Sequence, residues 1–386
     1  MKNIYLDYNS TTPVSDGALK AMEPYWQGLF GNPHSGEHAY GWAGAEAVEA
    51  SKAEIAERLH TGSDEVIFTS GATEANALAI LGYAMGMRER GQRPRVLVGA
   101  AEHKSVFSAA RQAEKLAGAL VEVLPVEVHG RLKLQALEEA LARGRAMVSV
   151  GVVNGEIGVI ENLRDVYRLV AERDGMLHAD AAQAAASINL SEIMNNADLI
   201  SLSAHKCYGP KGIGALVGRW EVLDLLSPLL EGGGQQAGIR GGTVPTPLAV
   251  GFATAFAHSQ DDIELRTSRL RGLSTRFFDQ LQAVCPAVRK LGGENRHAGN
   301  LSVLLPGIDA RELVGMMQPE LAVSTGSACS SGAEAPSHVL AAIGLDMKAA
   351  RSVVRVSVGD PTSVEDVDRA ADIFARALSN YENGGI

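Results

Sequence analysis

Three residues in this chain have types and settings suited to covalent chemistry: a lysine, an aspartate and a cysteine. Lys206 lies in Ser203-Ala-His-Lys-Cys-Tyr-Gly-Pro-Lys-Gly212, behind the apolar run Asp198-Leu-Ile-Ser-Leu-Ser203 and ahead of Ile213-Gly-Ala-Leu-Val217. Lysines ordinarily sit on solvated faces; one fixed at a strand end between Ser, His and Gly-Pro points to chemistry. An amine whose environment lowers its pKa forms a Schiff base with an aldehyde. The best-known protein-bound aldehyde is pyridoxal 5'-phosphate (PLP), whose pyridinium needs an acidic partner. Asp180, closing the apolar run Met176-Leu-His-Ala-Asp180, is such a partner. Cys329 lies in the small-residue stretch Val323-Ser-Thr-Gly-Ser-Ala-Cys-Ser-Ser-Gly332, which can present a thiol. Thiol reactivity follows thiolate fraction and access. An inert buried cysteine is the competing reading, and Cys207, beside Lys206, is a second reactive candidate. Cys285, in an apolar helix end before Pro286, reads as structural.

The elements that must position these groups alternate. Glu65-Val-Ile-Phe-Thr-Ser70 reads as a strand and Gly71-Ala-Thr-Glu-Ala-Asn76 opens a helix running to about Arg90. A strand, a glycine turn and a helix N-terminus form an anion site, to which Thr73 adds a hydroxyl; a plain N-cap by Ser70 or Thr73 is the alternative. Arg95-Val-Leu-Val-Gly99 is the next strand, and His103 behind it either stacks on a flat ring or caps the following helix. Strands near 120–124 and 146–153 alternate with helices near 133–142 and 162–173. Such alternation predicts a mainly parallel sheet covered by helices, with ligands at the carboxyl ends of the strands. Thr73, His103, Asn154, Asp180, Ser203, His205 and Lys206 all fall there.

Outside that region, Gly31-Asn-Pro-His-Ser-Gly36 is a loop from which Asn32 and His34 reach a ligand or merely decorate a turn. Glu231-Gly-Gly-Gly-Gln-Gln-Ala-Gly-Ile-Arg-Gly-Gly-Thr243 is too glycine-rich for regular structure and reads as a functional or subunit-contact loop, with a linker as the alternative. One amphipathic helix is expected from about 246 to 283, bridging to a second domain with strands near 287–291, 300–305 and 353–358 and helices near 309–318, 335–343 and 363–379.

Composition sets limits. With 386 residues, 46% hydrophobic and 21% charged, the chain is long enough for two domains and a core that needs no staple. A net charge of -10 disfavours nucleic-acid binding as the main activity. The ten histidines show no metal-site spacing, so no metal is expected. Three cysteines fit a reducing compartment. With no membrane-length apolar run and no signal-like N-terminus, the expected location is cytoplasmic.

Taken together, Tyr5-Leu-Asp-Tyr8, Gly31-Asn-Pro33, Phe68-Thr-Ser-Gly-Ala-Thr-Glu74, Glu102-His-Lys104, Asn154 to Gly158, His178-Ala-Asp180 with Gln183, Ser203 to Gly212, Arg240 to Pro245, Ser324 to Ser330 and Arg355-Val-Ser-Val-Gly359 resemble the cysteine desulfurases of the NifS/IscS-like group. These belong to the class V aminotransferase family of fold type I PLP enzymes. The matches are collinear and cover nearly the whole chain. The resemblance implies an α/β fold: an arm over 1–15, a large PLP-binding domain over 16–258 with a mainly parallel seven-stranded sheet, and a smaller α+β domain over 259–386 carrying the cysteine loop. It implies that Lys206 carries the cofactor and moves the Cα proton, that Asp180 pairs with the pyridinium nitrogen, and that His103 stacks on the ring. Gln183 would reach the phenolic oxygen, with Asn154 also beside the cofactor. Thr73, Ser203 and His205 would bind phosphate, joined across a homodimer interface by Thr243. Arg355 with Asn32 would hold the substrate carboxylate, and Cys329 would be the mobile catalytic cysteine. The implied reaction turns L-cysteine into L-alanine, leaving a persulfide on Cys329 for a sulfur-acceptor protein. A selenocysteine lyase or another fold type I enzyme is the alternative within the fold; a non-catalytic sulfur-transfer or assembly scaffold is the alternative outside catalysis.

Three positions depart from the family pattern. Gly155 stands where a second Asn often bonds the phenolic oxygen, Asp360 where an Arg often follows, and the chain ends soon after its last helix. Housekeeping members carry a longer tail that docks an iron–sulfur scaffold. Its lack favours a dedicated system such as DNA phosphorothioation, tRNA thiolation or nitrogenase maturation over general iron–sulfur assembly.

Overall fold

The computed structural model describes residues 3–325 and 337–382. The chain enters through a short strand, β1 (Ile4–Tyr5), which does not join the large sheet. The central sheet is built from β2 (Val66–Thr69), β3 (Arg95–Gly99), β4 (Leu120–Leu124), β5 (Met147–Gly151), β6 (Met176–Asp180), β7 (Leu199–Ser203) and β8 (Gly214–Gly218). Its seven strands run in the order β2-β8-β7-β6-β5-β3-β4. Pairing is parallel from β4 through β3, β5 and β6 to β7. β8 is antiparallel to both its neighbours, β7 and β2. The expected mainly parallel sheet is therefore present, and the Lys206 loop is the turn that reverses the chain between β7 and β8.

The middle strands are covered on both faces, which is why they read as continuous apolar runs rather than alternating ones. Their polar residues satisfy one another. The His178 ring lies between Ser149 and Ser201, 2.9 Å from each hydroxyl, across β5, β6 and β7. Burial pushes His178 down to about 4, so it is a neutral structural tie two residues before Asp180.

The remaining strands are β9 (Arg289–Lys290), β10 (Asn300–Leu304), β11 (Leu321–Ala322), β12 (Ser324–Thr325) and β13 (Val353–Ser357). A four-stranded sheet runs β12-β13-β10-β9, all antiparallel. β1 pairs in parallel with β11, and Asp7 bridges to Ser357. The N-terminal arm thus belongs to the C-terminal core: Ile4 and Leu6 pack with Leu273, Phe277, Val303, Val356 and Phe374. A second core joins Ile55, Phe68, Leu202, Phe252 and Phe256 under the large sheet.

Two helix expectations need correction. The single helix expected over 246–283 is two, Thr246–Gln260 and Ile263–Val284, broken where Asp262 takes the left-handed conformation at φ 49. Arg266 holds the break: its guanidinium donates to the carbonyls of His258 (3.1 Å) and Ser259 and pairs with Asp360 at 3.1 Å. The carboxylate of the departing position 360 therefore has a structural partner. The helix after β2 is also irregular, with a π-helical stretch at Leu78–Gly82 between Ala72–Ala77 and Tyr83–Glu89.

Candidate active site

Asp180 ends β6 and is buried. Its Oδ1 accepts from the Ala182 N–H at 3.0 Å and its Oδ2 from Asn76 Nδ2 at 2.7 Å. The same Asn76 amine donates to Ser105 Oγ at 2.9 Å, and that hydroxyl lies 2.7 Å from His103 Nδ1. His103 also caps the helix Lys104–Ala117, its Nδ1 accepting from the Ser105 N–H at 3.2 Å. With Nδ1 accepting, the proton of the neutral ring resides on Nε2. Burial lowers the His103 pKa, opposed by the Asp180 charge. The capping reading of His103 is met, and its Ser105–Asn76 contacts link it to Asp180.

Asn76 Oδ1 is buried with no hydrogen-bond partner among the described residues. A buried carboxylate beside an unpartnered amide oxygen suits a donor such as the N–H of a pyridinium. The rest of the donor set fits PLP equally: an amine, two hydroxyls and an imidazole at the carboxyl ends of neighbouring strands.

The Lys206 amine donates to the backbone carbonyl of Asn9. Burial, and then the Arg355 charge, lower it to about 8, with Asp7 and Asp180 opposing. A lysine held near neutrality supplies the free amine that Schiff-base chemistry requires. His205 Nδ1 lies 3.1 Å from Thr11 Oγ1, and the His205 carbonyl accepts from the Thr12 N–H at 3.0 Å. Burial and the charges of Lys206 and Lys211 push His205 down to about 4, so toward a phosphate it offers an N–H donor rather than a charge.

Ser203 is buried at the end of β7, and Thr73 is exposed in the first turn of its helix. Gly71, at φ 147, precedes that helix in a conformation L side chains rarely adopt, and a Cβ on Gly214 would lie 2.7 Å from its Cα. Glu74 in the same turn pairs with Arg240 at 2.8 Å and accepts from the Ser70 N–H at 2.6 Å. Asn154 donates to the Ala101 carbonyl at 2.9 Å and accepts from the Glu156 and Ile157 N–H groups at 2.9 and 3.0 Å. A Cβ on Gly155 would lie 3.4 Å from Gln183 Oε1, so the Gln183 amide stands beside the side chain this position lacks.

Arg355, on β13, reaches the same region. Its Nη1 donates to the Gly155 carbonyl at 3.0 Å; its Nη2 donates to Asp7 Oδ1 at 2.7 Å and Ser10 Oγ at 2.8 Å. Asn9 Nδ2 also donates to the Gly155 carbonyl, at 3.1 Å. Lys206, Asn9, Gly155, Arg355 and Asp7 are therefore one connected group. Asn32 and Thr243 are exposed, with Asn32 Oδ1 turned back to the His34 N–H at 2.9 Å, and neither joins this group among the described residues. Cys329 lies outside the described residues. On one side of it β12 runs beside β13, with Ser324 opposite Arg355. On the other, Ser337 Oγ donates to Glu156 Oε2 at 2.6 Å, and burial pushes Glu156 up to about 7. Cys207 is fully buried and pushed up to about 12 by burial, which removes it as a reactive thiol. Cys285 packs partly buried against the C-terminal core.

Sequence reasoning missed Asn9, Ser10, Asn76, Ser105 and Glu102 as site residues, and quoted Asp7 only within a motif. For Asn76 the signal was a lone amide in the apolar helix run Ala75-Asn-Ala-Leu-Ala-Ile80. Glu102 is buried with its pKa raised well above the ordinary range, by desolvation and then by Asp180. Its carboxyl fills the space left by two strand-end glycines: a Cβ on Gly99 or Gly151 would lie 2.6 or 3.0 Å from its oxygens.

The Lys206 environment sets a pH dependence on the protein without cofactor. Folded, the amine titrates near 8 against a usual 10.5. At pH below 8 both states hold the proton and the fold carries the full cost of the buried cation. Between about 8 and 10.5 only the unfolded chain keeps it, so stability rises with pH across that window. Lys206→Met lacks this climb. Urea unfolding of both cofactor-free proteins from about pH 7 to about pH 10.5 should show the variant more stable at the low end and the gap closing. Parallel curves would refute the burial of this amine.

The chain belongs to the aminotransferase class-V family, whose pattern matches residues 4–370. The enzymes of this family depend on PLP. Within it, the chain is 39% identical over 376 residues to a cysteine desulfurase IscS of Rickettsia typhi, covering 97% of this chain and 91% of that protein. It is 37% identical over 381 residues to the Rickettsia bellii cysteine desulfurase IscS, covering 98% and 92%. Among solved structures, a NifS-like protein superposes with a TM-score of 0.89 at 29% identity, covering 98% of this chain and all of that one. SspA in complex with cysteine superposes with a TM-score of 0.81 at 32% identity, covering 92% and 98%.

Proposed function

We propose that the protein is a PLP-dependent cysteine desulfurase, and the observation that carries this is the placement of half-buried Lys206 just beyond β7 and buried Asp180 at the end of neighbouring β6, within a chain similar end to end to enzymes of that activity. When bound, PLP supplies the electron sink that makes the substrate Cα–H acidic. Asp180, itself held by Asn76 and the Ala182 N–H, keeps a proton on the ring nitrogen. His103 would stack on the ring, Ser203, His205 and Thr73 would take the phosphate, and Gln183 would reach the phenolic oxygen, with Asn154 also beside the cofactor. Lys206, poised near 8, accepts the Cα proton. Arg355, with Asn32, orients the α-carboxylate. The Cys329 thiolate attacks the substrate sulfur: an Sγ–S bond forms, the S–Cβ bond breaks, its electron pair stays with Cβ, which takes a proton to become the methyl of alanine, and Lys206 returns a proton to Cα. The product pair is L-alanine and a Cys329 persulfide, whose outer sulfur passes to an acceptor protein.

Domain limits of 16–258 and 259–386 are supported by the separate cores under the large sheet and in the C-terminal region, and an arm over 1–15 by Ile4 and Leu6, which pack in the C-terminal core. A homodimer is supported by exposed aromatic residues, Trp26, Phe30, Tyr40 and Trp42, each more than half exposed, with the Phe30 and Tyr40 rings in tilted contact at 5.5 Å. Thr243, exposed and outside the Lys206 group among the described residues, would serve the phosphate of a second copy. No helix among the described residues is long and apolar enough to cross a membrane.

The test is turnover of the PLP-loaded protein with L-cysteine and a thiol reductant. Alanine and sulfide should appear one to one, while keto-acid formation would point to transamination and overturn the reading. Sedimentation of the same sample should give a dimer, and a monomer at micromolar concentration would remove the role of Thr243.

A further inference from the structure

Arg355 is not free to receive a carboxylate with both arms of its fork. Both Nη2 protons are committed, to Asp7 Oδ1 (2.7 Å) and Ser10 Oγ (2.8 Å), and Nη1 donates to the Gly155 carbonyl (3.0 Å). Nε is buried and has no partner among the described residues. Bidentate recognition of a carboxylate uses two neighbouring N–H groups. On the Nε/Nη2 edge one of these is open and the other is held by Asp7.

The hold is built into the backbone. The Ser357 N–H donates to the Leu6 carbonyl at 2.7 Å and the Tyr8 N–H to the Ser357 carbonyl at 3.3 Å, which fixes Asp7 beside β13, two residues from Arg355. Ser10 Oγ donates to the second carboxylate oxygen of Asp7 at 2.5 Å. The Arg355–Asp7 pair is largely screened from solvent, with side-chain exposures of 15% and 17%.

We infer that Asp7 is a specificity-determining residue, a resident carboxylate on Arg355 with which the substrate α-carboxylate must compete for Nη2. This rests on the reading of Arg355 as the carboxylate clamp. The consequence is a deliberately weakened hold on amino acids, product included: L-alanine meets the same competitor and leaves more easily. Asp7 also supports the charge on Lys206, but an effect through Lys206 would reach every amine ligand alike, whereas competition at Arg355 is felt only by ligands with a carboxylate.

The experiment uses the PLP-loaded enzyme and three ligands: L-cysteine in turnover, and L-alanine and cysteamine titrated against the visible absorbance band. Asp7→Asn should lower KM for L-cysteine and Kd for L-alanine by about three- to tenfold, the worth of one partly screened ion pair, with kcat changed less than KM. Cysteamine, which lacks the carboxylate, should bind the variant and the parent alike. Unchanged or weaker L-alanine binding in Asp7→Asn overturns the proposal and makes Asp7 a support for Arg355. Arg355→Gln is the control for the underlying reading: if it leaves L-alanine binding intact, the clamp itself is wrong, a result distinct from failure of Asp7 alone. Asp7→Ser is the second variant if Asp7→Asn does not fold, and failure of both to fold assigns Asp7 to architecture and overturns the competition.

Discussion

Lys206→Ala should stop alanine formation, with a loss of about 10^4-fold or more, because it removes the cofactor-bearing amine and the base for Cα together. The variant should still fold. Among the described residues the amine makes one hydrogen bond, to the Asn9 carbonyl, and burial already disfavours its charged form. The protein would keep bound PLP through the remaining contacts but lose the visible band of covalently held cofactor. Lys206→Arg separates the two roles of charge and chemistry: a guanidinium keeps the cation but stays protonated at every working pH. It should be as inactive as alanine. Substantial turnover by either variant would mean that another amine does the work.

Cys329→Ala should lose sulfide formation by about 10^3-fold or more, because a thiol from solution cannot match the effective concentration of one tethered in the site. The change that L-cysteine produces in the visible band should survive, since Lys206, Asp180 and Arg355 are untouched. The split is the informative part. Loss of both signals would place Cys329 in substrate binding; loss of neither would return the enzyme to the lyase alternative. The described residues on either side of this cysteine already meet the site. β12 lies against β13 with Ser324 opposite Arg355, and Ser337 is bonded to Glu156.

The large sheet was legible because its strands carry a strong local signal: short buried apolar runs separated by helical periods. The reversal at β8 was not, because Gly-Ala-Leu-Val-Gly reads the same in either direction. The break at Asp262 was hidden for a different reason. Its cause is Arg266 reaching back to the carbonyls of His258 and Ser259, a tertiary arrangement no local pattern encodes. At the site, residues with unusual local settings, such as Lys206 and Asp180, stood out. Asn9, Ser10 and Ser105 did not, since small polar residues near turns are common and their importance comes from partners far away in sequence. Cys207 shows the converse. Its neighbour suggested reactivity, and only the packing around it shows why the thiol is inert.

The stitching of the N-terminal arm has a consequence for how the protein is made. Asn9 bonds to Ser357 across 348 residues, and Asp7 to Arg355 across the same span. The arm thus waits for a segment made 348 residues later before either can take its place. The large sheet can assemble while synthesis continues, but the corner that holds Lys206, Arg355 and the arm cannot. Newly made chains should therefore acquire a competent catalytic pocket only once residues 353–357 are available to the arm, and a nascent chain stalled before residue 353 should fold its sheet yet remain blind to substrate.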